Sequence, residues 1–260
     1  MMEALKFVPI SHIHLHESHE ESRLQALSDK ITTDGYLQNP LLVTPMENNH
    51  YFVIDGVHRF NSLRLAGCAR IPVQVVNPEQ MQLSSWAHEV PAGEWLEGLY
   101  SNTAWEWRTG VNAETEWFAC LLNANGTKDW VVPRKPLQHM DERLEHWHTI
   151  VNSYLGRMPL KRIASDTEEL PVLGHVRFIY PTWTVKDIEN AVAIKAVLPP
   201  GTTRFIVPNR LENLSIPLHL LMAHPANDTP WDRLKKCWLD LMHVPATMNL
   251  PSLENAVVLE

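Results

Sequence analysis

One short segment gathers several groups able to handle a phosphate: Asp55-Gly56-Val57-His58-Arg59. It follows the apolar run Tyr51-Phe52-Val53-Ile54 and precedes a stretch of helical character from about Val57 to Gly67, so the spacing predicts a strand, a tight turn and a helix. At such a junction the free backbone N–H groups and the positive end of the helix dipole meet an anion, and a glycine lets the main chain approach it closely. His58 and Arg59 add side-chain donors, and a guanidinium binds phosphate with two parallel hydrogen bonds. A plainer reading fits the same residues: Asp55 as a helix N-cap, Gly56 as a turn residue and Arg59 as a surface charge. A second candidate is His16-Glu17, just before the first expected helix, where a carboxylate suits a general base or simply a solvated helix N-terminus. His12, His14 and His16 would share one face of a strand, a spacing that can hold a metal, although solvated imidazoles on an edge strand explain it equally. Thr202-Thr203-Arg204, after Pro199-Pro200-Gly201, offers hydroxyls and a guanidinium for a carboxylate or phosphate.

The elements that must position these groups are clearest in the first third. Phe7 to Leu15 reads as a strand. Ser18 and Glu21 have the spacing of a capping box, Leu24, Leu27 and Ile31 follow at helical intervals, and Gly35 stands where a helix C′ residue belongs. Pro40 to Thr44, Tyr51 to Ile54 and Ile71 to Val76 read as strands. The expected unit is α+β and occupies residues 1–80. Residues 81–260, carrying all ten tryptophans, are expected to form a mixed α/β domain that binds or caps the substrate. Within it, Met140 to Tyr154 and Val185 to Val197 look helical, and Arg204 to Val207 looks like a short strand. No helix-turn-helix is evident.

Bulk properties narrow the function. The chain has 260 residues and a formal charge of -8, from 22 Lys and Arg against 30 Asp and Glu. Proteins that grip a nucleic-acid backbone are usually basic, so nucleic acid is not the expected partner. No apolar run approaches the ~20 residues needed to cross a bilayer, and the N-terminus has no signal-peptide pattern. Cys68, Cys120 and Cys237 are widely separated and are expected to be reduced thiols in a cytoplasmic protein.

Taken together, Ile54-Asp55-Gly56-Val57-His58-Arg59, Leu63 to Gly67 and Ile71-Pro72-Val73-Gln74 resemble the signature of the ParB/sulfiredoxin superfamily. Leu15-His16-Glu17, Asn39 to Thr44, Trp86 to Trp95, Ser153-Tyr154, Arg162-Ile163-Ala164, Pro200 to Phe205 and Ile216-Pro217-Leu218 extend the likeness over nearly the whole chain, toward the free L-serine kinases of staphyloferrin B-type siderophore biosynthesis. Val57 stands where sulfiredoxin needs its cysteine, which argues against sulfinic-acid reduction. The resemblance implies a ParB/sulfiredoxin-like nucleotide-binding domain and the transfer of the γ-phosphate of ATP to L-serine, with ADP as the alternative phosphoryl donor. The product, O-phospho-L-serine, would serve as a precursor of 2,3-diaminopropionate. It further implies Glu17 as the base and Asp55 as a residue that orients the hydroxyl or meets Mg2+, directly or through water. Gly56, Val57, His58 and Arg59 would hold phosphates, and Trp105, Thr203 and Arg204 would form the serine pocket. Exposed tryptophans would suit a homodimer interface. The alternative is a ParB-like, nucleotide-dependent regulator on DNA, for which Arg23, Lys30, Arg59, Arg64 and Arg70 speak and the net charge does not.

Overall fold

The computed structural model describes residues 4–112, 115–222 and 229–242. The N-terminal unit is a five-stranded sheet. Its strands are β1 (Leu5–Pro9), β2 (Ile13–Leu15), β4 (Leu41–Pro45), β5 (Tyr51–Asp55) and β6 (Arg70–Val75), ordered β1-β6-β4-β5-β2, with a short β3 (Tyr36–Leu37) outside it. Two helices, α1 (Glu21–Asp34) and α2 (Val57–Leu65), pack on each other. The expected single strand from Phe7 to Leu15 is broken by a 3-10 turn at Ile10–His12. His12 therefore leaves the strand. His12 and His14 gather around His50, whose Nδ1 lies 2.7 Å from His14 Nε2, while His16 turns into the interior. Among the described residues, no cluster of three or more metal-ligating side chains forms here or elsewhere.

The expected capping box at Ser18 also does not form. Residue Glu20 occupies the N-cap of α1 and makes no side-chain cap. The reason is tertiary: Leu198 N–H donates to His16 O at 2.8 Å and Ser18 N–H donates to Leu198 O at 3.0 Å, which holds 16–18 extended. The other end behaves as expected, with Gly35 left-handed at the C-cap.

The second unit is a larger antiparallel sheet. Its strands are β7 (Gln82–Pro91), β8 (Trp105–Arg108), β9 (Ala119–Asn123), β10 (Lys128–Pro133), β11 (Lys161–Ala164), β12 (His175–Ile179) and β13 (Thr203–Ile206), with helices α3 (Trp95–Tyr100), α4 (Met140–Asn152) and α5 (Val185–Ala193). The order is β11-β7-β12-β9-β10-β8, and β13 pairs with the N-terminal half of β7. Beyond it, β14 (Ile216–Pro217) pairs with β3, and α6 (Leu218–Met222) and α7 (Thr229–Met242) follow.

Strand alternation joins the two units. Phe52 and Ile54 of β5 and Leu42 of β4 face the second sheet, in one core with Trp147, Phe178 and Phe205. Val53, Leu41 and Val43 face the helices, in a second core. A central strand buried on both faces reads as a continuous apolar run, which is what Leu41-Leu42-Val43 is. The second core also takes Leu211, Leu214, Ile216, Leu221, Trp231, Leu234 and Trp238. The segment 81–260 thus contributes to both cores.

Candidate functional site

The cavity between the two units has a volume of about 660 Å³. Its walls come from the end of β2 (Glu17), one face of α1 (Arg23, Ala26, Leu27, Lys30), the β5–α2 junction (Asp55 to Arg59), β7 (Trp86), β11 (Arg162) and the segment from Pro200 to Arg210. Arg23, Lys30, Arg59, Arg162, Arg204 and Arg210 line it against the carboxylates Glu17 and Asp55, so this face of an acidic chain is cationic. That imbalance suits a polyanion such as the phosphates of a nucleotide.

The β5–α2 junction has the expected form. Gly56 is the N-cap of α2 at φ 109°, a left-handed conformation that a side chain would strain, and an added Cβ would meet the Arg59 guanidinium at 3.0 Å. Asp55 does not cap the helix. Its Oδ2 is gripped by Arg59 at 3.1 Å and by Arg210 at 3.0 Å. Arg59 also donates to the carbonyls of Asn39 and Pro40. The Glu20 N–H donates to His58 Nε2 at 3.2 Å, which leaves the His58 proton on Nδ1 as a free donor. Burial, with Arg23 next, lowers the pKa of His58. Val57 is buried under the turn.

Glu17 and Thr203 meet at the opposite wall. Gly201 N–H donates to Glu17 Oε2 at 3.0 Å, and Thr203 Oγ1 lies 3.4 Å from the same oxygen. Burial raises the pKa of Glu17 to about 7, against the opposing pull of the Gly201 N–H and Arg162. A carboxyl that exchanges its proton near neutrality is suited to general base work. Gly201 has φ 71°, and a Cβ there would run into the Arg162 guanidinium. The Arg162 Nη2 pairs with Glu20 at 2.6 Å. Arg204 lies over the Trp86 ring, 4.8 Å from its centroid, with Asp166 3.9 Å away.

Of the residues singled out from sequence, the fold therefore gathers Glu17, Asp55, Gly56, Val57, His58, Arg59, Thr203 and Arg204 around one cavity. Trp105 stands apart. It is buried in the second sheet, its indole N–H donates to Leu99 O, and it does not line this cavity. Trp86 is the tryptophan at the site. Arg162 and Arg210 were not expected as site residues. Nothing local marks Arg210, and only the likeness around Arg162-Ile163-Ala164 pointed near the other.

Comparison with known proteins matches this architecture. The ParB N-terminal domain family model covers residues 2–88. The chain is 35% identical over 219 residues to the ATP-dependent L-serine kinase SbnI of Staphylococcus aureus, spanning 84% of each protein. It is 24% identical over 217 residues to an ATP-dependent L-serine kinase of Desulfurococcus mucosus, spanning 74% of this chain and 81% of that protein. The structure of C-terminally truncated SbnI superimposes with a TM-score of 0.79 at 32% identity, covering 92% of this chain and 98% of the other. A free serine kinase in complex with AMP shares the fold, with a TM-score of 0.67 at 19% identity over 84% of this chain and 93% of the other. The glycine turn between β5 and α2, the carboxyl after β2 and the likeness along most of the chain agree: this protein belongs to the SbnI family of ATP-dependent L-serine kinases.

Proposed function

We propose that the protein transfers the γ-phosphate of ATP to the hydroxyl of free L-serine, giving O-phospho-L-serine and ADP. The observation that carries this reading is Glu17: a carboxyl raised to about 7 by burial, on the wall of a cavity otherwise rich in guanidinium groups and facing the N-terminus of α2.

Phosphoryl transfer is catalysed mainly by positioning and charge neutralisation. The N–H groups at the start of α2, His58 Nδ1–H, Arg59 and Arg210 face the space where the phosphates would lie. Glu17 takes the proton of the serine hydroxyl as its oxygen attacks the γ-phosphorus and the bond to the bridging oxygen of ADP breaks. Arg204, held over the Trp86 ring, receives the serine carboxylate, and Thr203 lies beside Glu17. Mg2+ fits the donor chemistry: Asp55 is a hard oxygen ligand at the cavity wall, and this ion is commonly held by one or two carboxylates together with substrate phosphates. Bound there, it would offset phosphate charge. Product made this way would serve as the 2,3-diaminopropionate precursor of a siderophore pathway.

The test is 31P NMR of the purified protein with L-serine and Mg2+, using ATP and ADP in parallel. Phosphoserine from ATP is expected, with turnover reduced at least ~100-fold in Glu17→Gln. Folded protein that yields no phosphoserine with either nucleotide overturns the reading. Arg204→Ala should raise the KM for serine more than that for ATP, and equal effects would remove the carboxylate assignment.

A further inference from the structure

His16 is 1% exposed and stands directly behind the base, yet the reaction as described makes no use of it. Its Nδ1 faces the carbonyl oxygen of Val53. A carbonyl only accepts, so Nδ1 carries the proton. Its Nε2 lies 2.9 Å from Thr203 Oγ1. Burial lowers the pKa of His16 to about 4, so at neutral pH Nε2 has a lone pair and needs a donor. Thr203 has one hydroxyl proton and two claimants: His16 Nε2 at 2.9 Å and Glu17 Oε2 at 3.4 Å. The shorter contact goes to a buried ring nitrogen, and an unmet buried acceptor is costly.

We propose that His16 is a positioning residue that draws the hydroxyl proton of Thr203 away from Glu17, turning a lone pair of Thr203 toward the base. Ionised Glu17 then keeps the Gly201 N–H but is denied a second donor from this wall. Hydrogen bonds to a carboxylate stabilise the charged form and weaken it as a base, so withholding one keeps Glu17 basic. Once Glu17 Oε2 carries the proton taken from serine, that O–H has an acceptor in Thr203. A directional chain then runs from Glu17 through Thr203 and His16 to Val53 O. The remaining charged groups near Glu17 are Arg162 and Asp55, and His16 faces Asp55 and the rings of Phe52 and Phe205.

This inference rests on Glu17 being the base, and the two can fail separately. In the pH profile of kcat, the ascending limb reports the base. His16→Phe frees the Thr203 proton for Glu17, so the limb should move about one pH unit lower and the plateau fall about three- to tenfold. Adding Thr203→Val to His16→Phe removes the new donor and should return the limb toward its wild-type position. Thr203→Ser should keep the wild-type limb. A His16→Phe limb that stays in place, or one that Thr203→Val does not restore, overturns the proposal. Should His16→Phe not fold, 15N NMR of wild-type imidazoles decides the matter. Protonated Nδ1 and bare Nε2 of His16 through neutral pH are expected, and a proton on Nε2 overturns the assignment. Turnover that survives Glu17→Gln while His16 shows this tautomer would defeat the base assignment and leave the hydrogen-bond chain intact.

Discussion

Two buried histidines flank the Gly201 turn, and they are wired alike up to their last atom. His88 donates from Nε2 to Gly201 O at 2.7 Å and accepts at Nδ1 from the hydroxyl of Tyr154, which in turn meets Tyr180 at 2.5 Å. His16 donates from Nδ1 to Val53 O and accepts at Nε2 from Thr203. Burial lowers both to about 4. One chain ends on phenols, whose pKa values burial raises far out of reach, so its polarity is fixed. The other ends on Glu17, raised to about 7, so its last link changes with the proton. The same device serves as a brace where its terminus cannot titrate and, on the proposed function, as a support for the base where it can.

The largest effect should come from the residue the two chains share. Gly201 presents its N–H to Glu17 and its carbonyl to His88, and its backbone is left-handed. Gly201→Ala should displace both and lower kcat at least ~100-fold, with a stability loss on the order of 1–3 kcal/mol. Single-turnover kinetics and thermal unfolding measure the two effects. His88→Phe should separate them. It leaves Gly201 O unmet and the buried Tyr154 hydroxyl with Tyr180 as its one remaining partner, and should cost about 2–4 kcal/mol, while the pH limb of kcat stays at its wild-type position. A moved limb would mean that the two chains are not independent.

The smallest effect concerns the pH dependence of stability. For both histidines the folded pKa of about 4 lies below the ordinary 6.5. The unfolded chain takes up protons in that window and the folded chain does not, so stability should fall as pH drops from 6.5 toward 4. Glu17 works the other way: its folded pKa of about 7 exceeds the ordinary 4.5, and its contribution is lost as pH rises between these values. Glu17→Gln should therefore be more stable than wild type at pH 8, by up to about 3 kcal/mol, with the difference vanishing near pH 4. Urea titrations across that range measure it.

The strand–turn–helix wall of the cavity could be read from sequence because its determinants are local: an apolar strand, Asp55-Gly56 and a helical repeat all lie within a few residues. Gly35 could be read for the same reason. Residues 16–18 read wrongly because Leu198, far along the chain, holds them extended, and no local pattern reports that contact. A capping box does form at Thr184 with Asp187, at the start of α5. Arg162, Arg210 and Trp86 reach the cavity only through the pairing of β7 with β11 and β13 and through the loop after β13, and register across such distances leaves no periodic trace. The resemblance implied Trp105 for the serine pocket, but it is buried in the core and does not line the cavity.

Asp55, held between Arg59 and Arg210, has a consequence for ligand choice. Of the six cations around the cavity, Arg23 and Arg162 pair with Glu20 and Lys30 with Asp34, and Asp55 is the counter-ion of Arg59 and Arg210. On the proposed function, nucleotide capture would be an exchange of anions: a phosphate would displace Asp55 from its guanidinium partners, and the displaced carboxylate would be freed to meet the cation that accompanies the phosphates. A singly charged anion gains little from that exchange, whereas a polyphosphate with its own metal satisfies both halves of it.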